Sequence, residues 1–168
     1  MLQCATANRI DIVIVLFITI ACYLLDQVTK FLAFHYLPFL GAVPIVHNFF
    51  YLVHVQNTGA AFGIFQDKNR SLIIVSLVAL AVMGLLFVRG KFHTLLRQYG
   101  GSLFLAGILG NLTDRLLYGS VVDFLDFIFP FFGHWPAFNM ADSYICIATG
   151  LFIYSSFHRS QSTAPNLL

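Results

Sequence analysis

The sequence predicts an all-α integral membrane protein with four transmembrane helices and a small extracytoplasmic β-rich cradle. Composition is the first reason: of 168 residues, 59% are hydrophobic and only 10% are charged, whereas a soluble domain carries about 25% charged residues. The second reason is that apolar stretches recur at a length that spans a bilayer. The chain is therefore expected to form one membrane domain over residues 1–168.

Four apolar segments account for the predicted helices. They lie at about residues 10–34, 71–88, 99–117 and 141–157. Each is close to the roughly 20 residues that cross hydrocarbon as a helix. The first is interpreted as a retained helix rather than a cleaved signal peptide, because hydrophobicity resumes after Lys30. Glycines in the third, including Gly107 and Gly110, predict that a neighbouring helix approaches closely.

Basic residues set the expected orientation. The loop at 89–98 carries three arginine and lysine residues, and basic loops favour the cytoplasmic side. Both termini are then cytoplasmic, and regions 35–70 and 118–138 are extracytoplasmic. This placement predicts a multi-pass protein whose polar clusters can be assigned to one side of the membrane.

The predicted cradle lies in region 35–70, which two prolines and a glycine prevent from forming a spanning helix. The stretch NFFYLVHVQ at 48–56 is rich in β-formers and is followed by turn residues. We expect a strand pair there on the outer membrane surface, followed by a loop or strand at 59–66 close to the lipid.

The acidic residues cluster at one depth. All seven are aspartates, and the predicted topology brings five to the outer ends of the helices or the outer loops. These five are Asp26, Asp114, Asp123, Asp126 and Asp142. Ionisable groups at membrane depth usually face the bundle interior and are functional candidates. Asp123 and Asp126 are expected in an outer loop before the fourth helix.

Several of these residues also have a purely structural interpretation. Asp26 and Lys30 are spaced i,i+4 and can form an ion pair on one helical face. Asp114 and Arg115 could neutralise each other near the interface. Asp126 could be a plain loop residue.

Two asparagines allow a similar interpretation. Asn139 could be the N-cap of the fourth helix, with Asp142 at the third position, where the helix dipole favours a carboxylate. Asn57 could be a turn residue, because it precedes a glycine.

The available chemistry points to paired carboxylates. Neither the GxSxG motif of serine hydrolases nor the HExxH motif of zinc hydrolases occurs in the sequence. Two close carboxyls share a proton. One can then act as the base that activates a water, while the other donates a hydrogen bond or a proton to the scissile carbonyl.

Composition and topology leave other classes open. One is an ion-coupled transporter with the aspartates as a proton relay. Another is a lipid-modifying enzyme in which Asp123 and Asp126 bind Mg²⁺. A third is a non-enzymatic membrane scaffold. A formal net charge of +2 without a basic run gives no support for a nucleic-acid partner.

Five motifs in order carry a family resemblance. They are DQVTK at 26–30, QNTGAAFG at 56–63, GNLTDRL at 110–116, VVDF at 121–124 and FNMADS at 138–143. Together they resemble bacterial lipoprotein signal peptidase (signal peptidase II) over roughly residues 10–157.

The resemblance implies an aspartic endopeptidase of the bacterial inner membrane that needs no cofactor and no metal. Its substrates would be diacylglyceryl-modified prolipoproteins, cut just before the lipidated cysteine. The catalytic dyad falls on Asp123 and Asp142, whereas Asp126 matches no catalytic position. Membrane lipids would be the other partner, and a monomer is expected because the bundle can enclose its own site.

The resemblance also implies supporting roles. Asn111 and Arg115 match positions that hold substrate near the dyad, and Asp114 would order Arg115. Asn57 and Asn139 match a polar shell around the dyad.

The remaining expected roles are support of the site and access of the substrate to it. Asp26 and Lys30 match a pair that supports the site, and Gly110 opens the GNLTDRL motif. Region 35–70 is expected to cradle the substrate, and loop 116–138 to close over it.

Overall fold

The protein folds as a helical bundle with a small antiparallel sheet at one end. The computed structural model describes residues 2–59, 66–131 and 133–161, and the side chains of 12–59, 66–131 and 133–157. The helices are α1 (Leu2–Tyr36), α2 (Asn69–Val88), α3 (Leu95–Tyr118) and α4 (Met140–Gln161). The strands are β1 (Ala42–Val46), β2 (Phe50–Asn57), β3 (Val121–Phe129) and β4 (Gly133–His134). The predicted segment at 59–66 lies mostly outside the described residues.

Helix α3 lies at the centre of the bundle and packs against α1, α2 and α4. Its buried face is rich in glycine, alanine and serine, so neighbouring backbones can come close. A Cβ on Gly107 would lie 2.5 Å from the carbonyl oxygen of Ala141 and 2.7 Å from Cγ1 of Ile145. The close helix approach predicted at this glycine is therefore confirmed.

Two helical segments within the described residues are long and apolar enough to cross a membrane. They are Ile12–Tyr36 and Asn69–Val88. Much of their apolar surface is not covered by protein: Phe17 is 72% exposed and Val75 is 63% exposed. Helices also form at the other two predicted segments, but these carry more polar residues and do not meet the same criterion.

The sheet has the strand order β1-β2-β3-β4, with each neighbouring pair antiparallel. The strand pair predicted around 48–56 is confirmed as β1 and β2. Residues 121–129, however, were expected in a loop and instead form β3, so the predicted loop location of Asp123 and Asp126 is wrong. β3 is buried on both faces along its first half, so its sequence lacks the polar alternation that marks a half-exposed strand.

β3 anchors the sheet to the bundle. Val122 and Phe124 are buried with Ala33 of α1 in a small apolar core. β3 also pairs with β2 along most of its length, so this part of segment 116–138 belongs to the sheet, and the expected closing of the segment over the substrate stays a prediction. Asp123 lies between the two anchoring residues and is thus held where the sheet meets the helices.

Candidate active site

Asp123 and Asp142 face one cavity between the sheet and the bundle. The cavity has a volume of about 760 Å³, and Asn57, Asn111 and Arg115 also line it. Strand β2, helix α3, strand β3 and helix α4 each contribute at least one of these residues. The fold therefore brings the two aspartates named by the sequence into a common site, although they are far apart in the chain.

Asp123 is almost fully buried, with 2% exposure, and two amides bind its carboxylate. Asn57 Nδ2 donates to Oδ2 at 2.9 Å, and Asn139 Nδ2 donates to Oδ1 at 2.7 Å. The strand register explains the first bond: Val55 lies opposite Asp123, and Asn57 follows two residues later on the same face. Asn57 is therefore more than a turn residue.

The surroundings of Asp123 change its acidity. Burial of the carboxyl group, and then the negative charge of Asp142, raise the pKa of Asp123 to about 7. The hydrogen bonds from Asn57 and Asn139 stabilise the ionised form and limit the rise. Close to neutral pH, Asp123 can thus hold or release a proton, as a general acid or base requires.

Asp142 lies in the first turn of α4, where it takes part in a reciprocal cap. Asn139 Oδ1 accepts from the backbone N–H of Asp142 at 3.0 Å, and Asp142 Oδ2 accepts from the backbone N–H of Asn139 at 3.3 Å. This arrangement is a capping box, so the predicted N-cap role of Asn139 is confirmed. The cap fixes the Asp142 side chain beside the cavity.

Asn111 connects the two aspartates to the rest of the polar interior. Its Nδ2 donates to Asp142 Oδ1 at 2.7 Å. Its Oδ1 accepts from Asn139 Nδ2 at 3.2 Å and from Lys30 Nζ at 2.9 Å. Because both lone pairs of this oxygen are used within the protein, Asn111 acts mainly to orient Asp142 and Asn139.

A buried ion network lies directly behind the site. Lys30 Nζ is 2.8 Å from Asp26 Oδ2 and 3.1 Å from Asp114 Oδ2, so the predicted Asp26–Lys30 pair is confirmed. Asp114 forms an ion pair with Lys30 and acts on Arg115 through its charge, so the expectation that it orders Arg115 stays a prediction. Adjacent residues on a helix project in different directions, and Asp114 faces α1.

The same network ties the site to the start of two other elements. Asp26 Oδ1 accepts from the backbone N–H of Ala141 in the first turn of α4 at 2.8 Å. Asp114 Oδ2 accepts from the backbone N–H of Val122, next to the candidate catalytic residue on β3, at 3.4 Å. A Cβ on Gly110 would overlap the Asp26 carboxylate, which explains the glycine there.

Gln27 is a member of this network that the sequence analysis did not single out. Its Nε2 lies 3.1 Å from Asp114 Oδ1, 3.3 Å from the carbonyl oxygen of Gly110 and 3.2 Å from Asp26 Oδ2. A glutamine within an apolar helix was the available signal, because polar residues at membrane depth usually have a partner.

Arg115 reaches the cavity from α3. One terminal nitrogen donates to the carbonyl oxygen of Gly59 at 3.1 Å, and the other donates to that of Asn111 at 3.3 Å. Its Nε is buried and has no hydrogen-bond partner among the described residues. The guanidinium is therefore held in place with donor capacity to spare.

Asp126 belongs to a different environment. It lies three residues after Asp123 on β3, so the two side chains point to opposite faces of the strand. Its carboxylate contacts His134 Nδ1 at 3.1 Å, whereas Asp123 binds Asn57 and Asn139. The DxxD pair considered for Mg²⁺ is thus not assembled.

Comparisons with known proteins identify the family of the chain. A family profile described as signal peptidase (SPase) II matches residues 18–158. The lipoprotein signal peptidase of Desulforapulum autotrophicum is 42% identical over 136 residues, covering 77% of this chain and 83% of the relative. That of Nitratidesulfovibrio vulgaris is 39% identical over 159 residues, covering 91% and 94%.

Two solved structures described as bacterial membrane enzymes share the fold. One has a TM-score of 0.84 at 29% identity, covering 92% of this chain and 93% of the other. The second has a TM-score of 0.75 at 32% identity, covering 84% and 90%. The family match and these relatives extend over most of the protein. The chain therefore belongs to the signal peptidase II family.

Proposed function

We propose that this protein is an aspartic endopeptidase that removes the signal peptide from diacylglyceryl-modified prolipoproteins, cutting N-terminal to the lipidated cysteine. One observation carries the proposal: Asp123 and Asp142 face a common cavity and are linked through the amides of Asn111 and Asn139. Membership of a family whose relatives are named lipoprotein signal peptidases supplies the substrate class.

The proposed chemistry needs one proton on the pair. Asp123, whose pKa is raised to about 7, carries that proton and donates it to the scissile carbonyl oxygen. Asp142 is the general base and accepts a proton from the attacking water. Arg115 lines the cavity beside the two aspartates and is suited to hold a backbone carbonyl of the substrate.

We further propose that all four helices span the membrane. α3 and α4 have 24 and 22 residues, which corresponds to about 36 and 33 Å at 1.5 Å per residue. The hydrocarbon core is about 30 Å thick. Four polar residues of α3 are buried in the bundle, namely Gln98, Ser102, Asn111 and Asp114, and a spanning helix tolerates such groups only there.

The proposed orientation places the site near the extracytoplasmic face of the bacterial inner membrane. The chain order puts the sheet at one end of the bundle and the basic segment 89–98, which includes the start of α3, at the other. Basic loops favour the cytoplasm, so both termini are cytoplasmic. One copy of the chain supplies both aspartates, which fits a monomeric enzyme.

In the same orientation, the proposed cradle (region 35–70) lies on the outer surface of the membrane. β1 is exposed along its whole length, and its apolar side chains include Ile45, which is 54% exposed. Such a strand would rest on the lipid surface. Region 35–70 would then receive the substrate as its signal helix arrives in the membrane plane.

A gel-shift cleavage assay tests the function. Purified enzyme in detergent would meet a diacylglyceryl-modified prolipoprotein, with and without a chelator. We expect chelator-insensitive cleavage by the wild type and by Asp126→Asn, and none by Asp123→Asn or Asp142→Asn. Equal cleavage by all four proteins would remove the two aspartates from the chemistry. No cleavage by folded wild type would contradict the function itself.

A further inference from the structure

A second cavity lies beside the candidate active site, and the described residues that line it are all aromatic. Its volume is about 510 Å³. It is lined by Phe49, Phe127, Phe129, Trp135 and Phe138, and we call it the aromatic groove. Two of these residues, Trp135 and Phe138, also line the cavity that holds the two aspartates. The groove and the active site are therefore neighbours with a shared wall.

The rings form a continuous path away from the aspartates. Phe138 stacks on Phe127 with ring centroids 5.8 Å apart, and Phe127 meets Phe49 edge to face at 5.6 Å. Phe129 then contacts Phe49 at 6.2 Å and Trp135 at 6.4 Å. Such aromatic pairs hold one another in place, so the groove is a built feature rather than a gap between loops.

The path begins next to the dyad. Phe138 directly precedes Asn139, whose amide binds Asp123. The backbone of Phe138 is fixed to β3, because it accepts from the N–H of Leu125 at 2.9 Å and donates to the Leu125 carbonyl at 3.0 Å. A group leaving the active site along this strand would thus meet the aromatic groove first.

The chemistry of the wall selects an apolar occupant. The five lining residues that the structure describes are all aromatic, so the groove offers hydrophobic contact rather than charge recognition. Its volume falls within the roughly 300–1,000 Å³ of small-molecule sites. A hydrocarbon chain is an apolar group of this kind, and its burial here is favourable because it leaves water and contacts aromatic faces.

We propose that the aromatic groove binds one acyl chain of the diacylglyceryl group on the substrate during cleavage. This inference rests on the proposed function. The lipidated cysteine directly follows the scissile bond, so its Cα lies about one residue, roughly 3.5 Å of chain, from the reacting carbonyl. Its acyl chains branch from the glyceryl group on the cysteine sulfur, a few bonds further on. The groove, which shares a wall with the active site, is placed to receive one of them, and its occupation would favour lipidated precursors over unmodified ones.

A chain-length series tests the proposal. Lipopeptides carrying acetyl, octanoyl or palmitoyl chains on the cysteine would be cleaved at a fixed mole fraction in mixed micelles. For wild type we expect kcat/KM to rise by at least about tenfold from the shortest to the longest chain. Phe129→Ser and Phe49→Ser should flatten this dependence through KM while leaving kcat at saturation close to the wild-type value.

Phe131→Ser is the matched control. Phe131 lies on the same hairpin and is 92% exposed, but it does not line the groove. If Phe131→Ser reduces the dependence of kcat/KM on chain length as much as Phe129→Ser does, the effect reflects affinity for the micelle and the proposal is overturned. The proposal is likewise overturned if kcat falls equally for every chain length, because that pattern indicates damage to the fold.

Trp135 gives a direct binding readout, because it is the single tryptophan of the chain. A lipopeptide with brominated acyl chains should quench its fluorescence in the Asp142→Asn variant, and unbrominated lipopeptide should reverse the quenching. If brominated phospholipid quenches Trp135 fluorescence to the same extent and prevents further quenching by the brominated lipopeptide, the groove holds bulk lipid and the proposal fails. Absence of any cleavage by wild type would instead refute the proposed function, so the two failures can be told apart.

Discussion

Lys30 and Asn111 are joined by a hydrogen bond of 2.9 Å from Nζ to Oδ1, and this bond determines which way the Asn111 amide faces. With its oxygen bound to an ammonium group, the amide must present Nδ2 to Asp142, which it reaches at 2.7 Å. A reversed amide would place Nδ2 against the lysine and an oxygen against the carboxylate. The buried ion network therefore reaches the Asp142 carboxylate through the side chain of Asn111.

Replacing Lys30 with methionine should impair both stability and catalysis. The ammonium lies 2.8 Å from Asp26 and 3.1 Å from Asp114, and both carboxylates would lose their counterion. Breaking a buried pair in this way costs about 3–5 kcal/mol. Thermal unfolding in detergent should show a lower Tm, and the remaining folded enzyme should have a lower kcat.

The double variant Lys30→Met/Asp114→Asn separates the two effects. It removes one uncompensated charge and should recover part of the lost stability, while kcat stays low because Asn111 remains unanchored. Lys91→Met, at an exposed position, should change neither quantity. A Lys30→Met enzyme with unaltered kcat would show that the network does not orient the dyad.

Gly110→Ala should displace the Asp26 carboxylate. An added Cβ would overlap Asp26 and would lie 3.3 Å from Cβ of Ala141, so α1 or α4 must shift. Overpacking of this kind typically costs about 1–3 kcal/mol, and a lower Tm would reveal it. Gly150→Ala on α4 is the control, because a Cβ there meets nothing within 4 Å. Equal Tm values for the two variants would contradict this account of helix packing.

The contacts that could be predicted from the sequence are local ones. The Asp26–Lys30 pair follows from i,i+4 spacing, and the Asn139–Asp142 cap follows from a polar residue placed before an apolar helix. Both depend only on positions within one turn. The placement of Asp123 near Asp142 came from the family motifs, since their separation in the chain gives no direct signal.

The contacts that could not be predicted depend on packing between elements. Asp114 pairs with Lys30 because α3 turns that face towards α1, which no spacing along α3 specifies. β3 was mistaken for a loop because its buried residues lack alternation, and its pairing with β2 brings Asn57 to Asp123. The aromatic groove likewise combines the β1–β2 turn, β3 and the segment before α4.

Asp123→Asn should stabilise the protein in a pH-dependent way. The pKa of Asp123 is about 7 in the folded protein, against an ordinary value of 3.8, so the folded state binds this proton more tightly than the unfolded chain. Protonation of Asp123 therefore makes its full contribution to wild-type stability below about pH 4. This contribution is lost as pH rises towards 7. An asparagine at this position carries no charge, so its burial has no cost that depends on pH.

The expected readout is the difference in Tm between Asp123→Asn and wild type, measured at two pH values in detergent. At pH 8 the variant should be more stable by an amount on the order of a few kcal/mol. At pH 4 the difference should largely vanish, because the wild-type carboxyl is then protonated in the folded protein. A gap that is the same at both pH values would show that burial of the Asp123 charge is not its origin.

Asn57→Ala should move the alkaline limb of the activity profile to higher pH. The proposed reaction needs a proton on Asp123, whose pKa of about 7 makes kcat/KM fall above neutral pH. Asn57 donates to this carboxylate at 2.9 Å and stabilises its ionised form, so its loss raises the pKa of Asp123 further. We expect the limb to shift upward by about half a pH unit or more, measured with a lipidated peptide across the pH range. Asn69→Ala, which removes a hydrogen bond to the Arg115 carbonyl but none to the dyad, should leave the limb in place. A lower rate for Asn57→Ala with an unmoved limb would assign Asn57 to the strand framework rather than to the acidity of Asp123.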